Sequence, residues 1–327
     1  MVNEKNIFLE VGQMKKRVLI LMIVLCVGVI SVNAATVAYW RFEEGPAYTQ
    51  VSHGGQPDGV YYEGTADSSG NGYGLSVWAE NWAGYEYRNN GPEAVASGNN
   101  YSVKNSGGYP AMFTSTADGI NSIEPAAFTI EASFKLENGG YKTIVGRDSQ
   151  GSVTTGDLNL AALYFQAVPN NGLAIKFCDV SGYWHEAIAP ANSYVGFDWS
   201  TNPDGLNTPW YSMAAVSDGS TLSLYLRFAD AVSPWTLIAQ TDMTLSGSPD
   251  TALTKGTGDG GDWNAGDWSV GRGLYAGGHG DRAYGFLDEI RISDAALTTD
   301  EFLMVIPEPA TMLLLGLGGL SLLKRRS

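Results

Sequence analysis

The chain is poor in cysteine, in histidine and in charge. Its 327 residues include 2 Cys and 3 His, and Asp, Glu, Lys and Arg together make up only 16%. Two cysteines cannot build a disulfide framework. His53, His185 and His279 stand in no metal-ligand spacing, and neither a His-Glu-x-x-His nor a Gly-x-Ser-x-Gly motif is present. Basic residues are scarce: 19 Lys and Arg face 34 Asp and Glu, a net charge of −15. Without a basic surface to neutralise phosphates, nucleic acid is excluded as a partner. The 13 prolines accompany 41 glycines with no Gly-X-Y period, which excludes collagen and points to many turns. Aromatic residues are plentiful (9 Trp, 17 Tyr, 11 Phe), and they argue against a disordered chain.

Long apolar runs are missing as well, except at the two ends. Met14-Lys15-Lys16-Arg17 is a basic start, Val18 to Ile30 an apolar run, and Val32-Asn33-Ala34 a set of small residues. That order is a secretory signal peptide over residues 1–35, with cleavage expected after Ala34 or Ala35 and Met14 as an alternative start. The run falls short of the roughly 20 residues a membrane span needs. Cys26 follows Leu25, where a lipoprotein signal wants a small residue, so lipidation is not expected. Residues 307–327 reverse the order: Pro307-Glu308-Pro309, the apolar stretch Met312 to Leu323, then Lys324-Arg325-Arg326. The basic end holds this terminus in the cytoplasm. Twelve apolar residues interrupted by glycines 316, 318 and 319 suit a transient anchor better than a permanent span or a core helix.

This tail resembles the PEP-CTERM sorting signal, which joins a Pro-Glu-Pro box, a short hydrophobic helix and an arginine-containing end. The box here reads Ile-Pro-Glu-Pro where Val-Pro-Glu-Pro is commoner. The resemblance implies export across the inner membrane of a Gram-negative bacterium, with the C-terminal helix as a transient membrane anchor. It also implies processing by an exosortase-type sorting enzyme and an exopolysaccharide or biofilm setting.

The two ends carry seven of the 19 basic and three of the 34 acidic residues, so residues 36–306 keep 12 basic and 31 acidic side chains, a net of −19. This region holds one cysteine, Cys178, in a strand-like stretch; it reads as a structural thiol, and stability must come from a large core. Phe128, Ile130, Ala132, Phe134 and Leu136 alternate with polar residues, as do Leu222, Leu224, Leu226 and Phe228. Shorter alternating runs are 36–43, 141–147, 158–168, 173–180, 184–189, 210–216, 235–240, 268–271 and 283–293. Period-two alternation predicts half-buried antiparallel strands. Asn138-Gly139, Asn171-Gly172 and Asp218-Gly219 between apolar runs predict hairpins. About a dozen strands without long helices predict an all-β jelly-roll sandwich of two antiparallel sheets. Residues 44–125 alternate poorly and are expected to hold long loops and edge strands. One short helix is expected late, capped by Thr298 or Thr299 with Glu301 in its first turn.

Four stretches, Ala38 to Glu43, Asp67 to Asn71, Phe128 to Phe134 and Gly285 to Leu297, resemble the laminin G-like, concanavalin A-like jelly rolls of bacterial surface proteins. The resemblance implies two antiparallel sheets of six or seven strands, binding of glycans or proteins, and often a calcium ion. The Tyr- and Gly-rich stretch 72–110 departs from the pattern, so the positions of ligand contacts do not carry over.

Strict alternation from Phe286 places Asp288 on the core face with Ile290 and Ile292, where a carboxylate needs a partner or a metal. Asp67 and Asn71, in a glycine-rich turn, offer oxygens that suit calcium, so Asp67, Asn71 and Asp288 are the candidate ligands. The alternative gives Asp288 an Arg or backbone partner and Asp67 an Asx-turn. The acidic run Asp259-Gly-Gly-Asp262-Trp-Asn264-Ala-Gly-Asp267 lacks EF-hand spacing and reads as a solvated loop. Trp78, Trp82 and Trp263 are the candidate sugar platform, with Trp78 and Trp82 favoured for exposure. Catalysis finds little support: Glu131 and Glu137 share a strand face, but at about 3.3 Å rise per residue they stand ~20 Å apart. The leading expectation is an exported, surface- or matrix-associated, non-catalytic module for a glycan or envelope component. The alternatives are a structural or adhesive protein and a polysaccharide-degrading enzyme.

Overall fold

Residues 128–136 alternate over nine positions and form one unbroken strand, with Phe128, Ile130, Ala132, Phe134 and Leu136 all in the core. The rest of the described chain follows the same rule. The computed structural model describes residues 36–51, 63–78, 84–92, 101–105, 110–115, 118–148, 161–256, 265–275 and 278–303. Six short strands come first: β1 (Thr36–Trp40), β2 (Glu63–Thr65), β3 (Leu75–Trp78), β4 (Tyr85–Arg88), β5 (Ser102–Asn105) and β6 (Ala111–Thr114). The long strands follow: β7 (Phe128–Leu136), β8 (Lys142–Asp148), β9 (Leu163–Val168), β10 (Gly172–Cys178), β11 (Trp184–Ile188), β12 (Tyr211–Ser217), β13 (Thr221–Phe228) and β14 (Thr236–Asp242). The last four are β15 (Asp267–Val270), β16 (Gly273–Tyr275), β17 (Gly278–Gly280) and β18 (Gly285–Ser293).

These strands build two antiparallel eight-stranded sheets, the concanavalin A-like jelly-roll sandwich. The first sheet runs β14-β13-β12-β7-β18-β5-β4, with β1 also paired to β18; the second runs β11-β10-β9-β8-β15-β6-β3-β2. Each exceeds the six or seven strands expected. The excess comes from residues 44–125, where alternation is weak because the strands are only three or four residues long. All four residues of β5 and of β6 are buried. Within this stretch β2 and β4 are edge strands, as expected, whereas β3, β5 and β6 have neighbours on both sides.

Asn170 and Asn171, both at positive φ, close the β9–β10 hairpin, and Gly219 at φ 86 closes β12–β13. The turn at Asn138-Gly139 closes no hairpin. It carries the chain from β7 in the first sheet to β8 in the second, and Asn171 Oδ1 holds it by accepting from Gly139 N at 2.8 Å. The expected late helix is a turn instead: Thr298 N and Oγ1 both donate to Glu301 Oε2, the capping contact without a helix behind it among the described residues.

Between the sheets lie Trp40, Phe128, Phe134, Phe165, Phe177, Leu75 and Met112, all fully buried. Burial of Phe- and Leu-sized side chains contributes about 1.5–3 kcal/mol each, which is how a chain without disulfides holds this fold. Arg147 is also buried, donating to the carbonyls of Gly266, Thr254, Asn121 and Ile123 with its guanidinium 5.2 Å from the Trp268 ring.

The outer face of the first sheet is covered. Residues 197–210 lay Trp199 and Trp210 over it, with Lys104 Nζ 5.1 Å from the Trp199 ring and Lys135 Nζ 5.3 Å from that of Trp210. Further along, Phe302 packs between Tyr225 and Trp235, and Leu303 N donates to Glu131 Oε1 at 2.6 Å. Glu131 also accepts from Arg291 Nε at 2.6 Å.

Candidate functional site

The outer face of the second sheet is open over β8 to β11. In β9, Leu163, Phe165 and Ala167 enter the core, which turns Tyr164, Gln166 and Val168 outward. In β10 the core takes Leu173, Ile175 and Phe177 and leaves Ala174 and Lys176 outside; in β11 Ala187 goes in, Glu186 and Ile188 out. Register then aligns two rows across the strands: Tyr164, Lys176 and Glu186, and beside it Gln166, Ala174 and Ile188. Tyr141, from the β7–β8 turn, and Asp281, from the segment after β17, complete a groove of about 540 Å³.

Each groove residue is held by its surroundings. The Tyr164 hydroxyl accepts from Ala161 N at 2.7 Å and donates to Leu274 O at 2.6 Å, which pins the β16–β17 hairpin at one end. Lys176 Nζ sits 5.0 Å from the Trp184 ring and 3.9 Å from Glu186 Oε2. Asp281 has φ 48, and its carbonyl accepts from Thr143 N at 2.7 Å. Burial pushes its carboxyl above the usual range. Gln166 is 7% exposed, and its Oε1 has no hydrogen-bond partner among the described residues. Tyr141 and Ile188 are about half exposed and give the groove apolar walls. The set offers ring faces, one buried amide and two carboxylates against one ammonium, which suits a polyhydroxylated ligand better than an anion.

The three expected calcium ligands are not brought together. The Asp67 carboxylate accepts from Tyr39 N, Ser69 N, Ser69 Oγ and Tyr73 N, at 2.7 to 3.0 Å. Asn71 uses its Nδ2 to donate to the carbonyls of Thr36 and Val37, both at 3.0 Å. The pair staples its loop to β1, the Asx-turn alternative. β1 bridges Asp67 at Trp40 on one side and pairs with β18 on the other, so Asp288 lies across β1 from Asp67. Among the described residues no three His, Cys, Asp or Glu side chains are placed to hold one ion.

Asp288 also faces the other way from the expectation. A β-bulge between Asp288 and Arg291, with Glu289 at φ 49, inserts one residue and inverts the alternation. Asp288 therefore shares the outer face with Phe286 and opposes Ser133, while Leu287, Ile290 and Ile292 enter the core. Asp288 Oδ1 accepts from Glu289 N at 2.9 Å. The bulge falls where the edge of β18 changes partner, from β5 at Phe286–Leu287 to β1 at Ile290–Ser293. Glu289 is buried against the Tyr39 hydroxyl and Arg41 Nε, the latter at 3.3 Å, and burial pushes its carboxyl up to about 8.

Of the expected sugar platform, Trp78 lies in β3, but its side chain is outside the described residues, as are Trp82 and Trp263. Trp184 stands beside Lys176 at the groove. Sequence reading missed a buried His–Asp contact: His185 Nε2 lies 2.8 Å from Asp179 Oδ2, while Asp179 Oδ1 accepts from Ser181 N and Tyr183 N. This ties the β10–β11 hairpin. Cys178 is buried beside it, in keeping with a structural thiol. Tyr141, Gln166, Lys176, Glu186 and Asp281 were missed too. Their signal was the outward positions of alternating strands, which carry Tyr, Gln, Lys and Glu in register.

Pro307, Glu308 and Pro309 lie outside the described residues, yet their box, the apolar stretch behind it and the Lys-Arg-Arg end fall in the order already noted. The chain carries a PEP-CTERM protein-sorting motif, matched over residues 305–327. The motif implies export and a sorting step at a membrane. No protein of curated function matches the sequence. Among solved structures, the botulinum neurotoxin serotype D binding domain is similar at a TM-score of 0.46 and 11% identity, over 83% of this chain and 51% of that one. The binding domain of Paraclostridial Mosquitocidal Protein 1 is similar at 0.43 and 13%, over 80% and 51%. The chain thus spans about half the length of these toxin domains. The Ruminococcus gnavus IT-sialidase CBM40, solved bound to α2,3-sialyllactose, is similar at 0.39 and 14%, over 58% and 89%.

Proposed function

We propose that the chain is an exported, surface- or matrix-associated binding module, without catalytic activity, that holds a glycan in the groove over β8 to β11. The observation that carries this reading is the groove itself, about 540 Å³ with the buried Gln166 amide on its floor. A buried polar group without a partner is costly, and a ligand hydroxyl or amide supplies the missing bond. The half-exposed Tyr141 offers a flat face to the apolar side of a sugar ring. The sorting motif supports the setting, because export puts the domain among envelope polysaccharides. The spacing of the carboxylates supports binding over hydrolysis. Asp281 docks beside β8 on the side away from β9 and Glu186 lies on β11, four strand spacings away, so at about 4.8 Å per spacing they are ~19 Å apart, beyond the reach of a glycosidase pair.

A glycan array probed with the purified chain tests this, followed by titration of Gln166→Met and Tyr141→Ala against any hit. Binding that both substitutions weaken is the expected result. An array without binding, or hits unaffected by both changes, refutes the groove as a glycan site. Release of reducing ends from a bound polysaccharide would overturn the non-catalytic reading.

A further inference from the structure

We propose that the groove selects glycans bearing free amino groups, with Asp281 as the residue that receives the ammonium; this rests on the reading of the groove as a glycan site. Among the described residues the charges around the groove are few and can be followed one by one. Lys176, from β10, is engaged by the Trp184 ring and Glu186. Lys142, from β8, turns its ammonium to Asn138 O at 3.3 Å and Glu137 at 4.0 Å. Arg282 follows Asp281 in the chain, where it bridges Thr143 through the backbone. β9 contributes Tyr164, Gln166 and Val168, all uncharged. Asp281 itself is half-buried, with no ion-pair partner among the described residues.

An anionic sugar entering this groove meets Asp281 and Glu186 on a domain of net charge −19. A neutral sugar offers hydroxyl donors but leaves the desolvated carboxylate uncompensated. An ammonium offers both a donor and the missing charge, and a charge-assisted hydrogen bond is about twice as strong as a neutral one. The backbone fixes the carboxylate in place, through φ 48 at Asp281 and the Thr143 N bond to its carbonyl. The Gln166 amide on the floor is a second polar group awaiting a partner, and it reads a hydroxyl or an amide of the same sugar.

Three oligosaccharides of equal length separate the possibilities: β-1,4-glucosamine, its fully N-acetylated form and an oligogalacturonate. They are titrated calorimetrically into the full chain at physiological salt, where screening over about 8 Å suppresses diffuse attraction of a cationic sugar to an acidic protein. The amino form is expected to bind about tenfold tighter than the acetylated one, the size of one charge-assisted bond, and the galacturonate not measurably. Asp281→Asn should erase that preference. Asparagine tolerates positive φ, so this substitution keeps the backbone. Glu186→Gln should retain the preference. Equal affinity for the amino and acetylated forms, tighter binding of the galacturonate, or a preference that survives in Asp281→Asn overturns the inference and leaves the glycan site standing. Failure of all three sugars, together with a silent array, overturns the site as well.

Discussion

Replacing Glu289 by Gln should remove that residue's contribution to the pH dependence of this protein's stability in the neutral range. Glu289 sits on the β18 bulge, 1% exposed, against the Tyr39 hydroxyl and Arg41 Nε. Its carboxyl has an ordinary value of 4.5 and is pushed up to about 8 by burial in the fold. The native state therefore holds a proton that the unfolded chain releases across that window. The contribution is fully present below about pH 4.5 and is lost as pH rises through about 8. At about 1.4 kcal/mol per unit, the wild-type protein should lose ~3 kcal/mol between about pH 5 and pH 7. Arg41, at 3.3 Å, favours the ionised form and makes that figure an upper bound. Glutamine keeps the shape and the polar contacts but has no proton to lose. Urea unfolding at a series of pH values should give two curves that approach each other in acid and diverge towards neutrality, with the variant more stable at pH 7. Parallel curves, or a wild-type protein that gains on the variant as pH rises, would show that Glu289 is ionised and paired to Arg41.

Other substitutions probe separate parts of the argument. Arg147→Met strands four buried carbonyls and should cost about 4 kcal/mol in chemical denaturation; a cost below ~1 would mean that water replaces the guanidinium. Asp67→Ala removes the acceptor of three backbone N–H groups and should cost about 3 kcal/mol, while millimolar calcium or a chelator leaves the wild-type Tm unchanged. A calcium-dependent rise in Tm, lost in Asp67→Ala, would restore the metal site. Tyr141→Ala should lower glycan affinity without moving Tm, because the ring is 54% exposed. Cys178 should react with a maleimide only in denaturant, since it is fully buried; labelling of the native protein would place it on a surface.

The long strands were legible because apolar and polar residues alternate along them, a pattern that persists at Phe128–Leu136 although its outer face is covered as well. β5 and β6 were not, because four residues are too few for a period to stand out. The bulge at Glu289 was hidden for another reason. Positive φ is signalled by Gly or Asn, and a glutamate held there by Tyr39 and Arg41 gives no such sign. One unmarked residue then inverted the face assigned to Asp288. Asp67 was read correctly as a turn residue, but sequence could not decide between cation and N–H groups as the partners of its carboxylate. The groove depended on pairing: Gln166, Lys176 and Glu186 are ordinary surface types until register sets them side by side, and Asp281 arrives from a distant part of the chain.

The mooring of Phe302 and Leu303 has a mechanical side. They are the last residues described before the sorting motif, and they are fastened to the outer face of the first sheet, between Tyr225, Trp235 and Glu131. The groove opens on the second sheet, whose outer face looks the opposite way. A pull applied through residue 303 therefore loads the β7–β13–β18 side of the sandwich and leaves β9 to β11 out of the line of force. Tension applied at residue 303 and occupancy of the groove would thus be borne by different sheets.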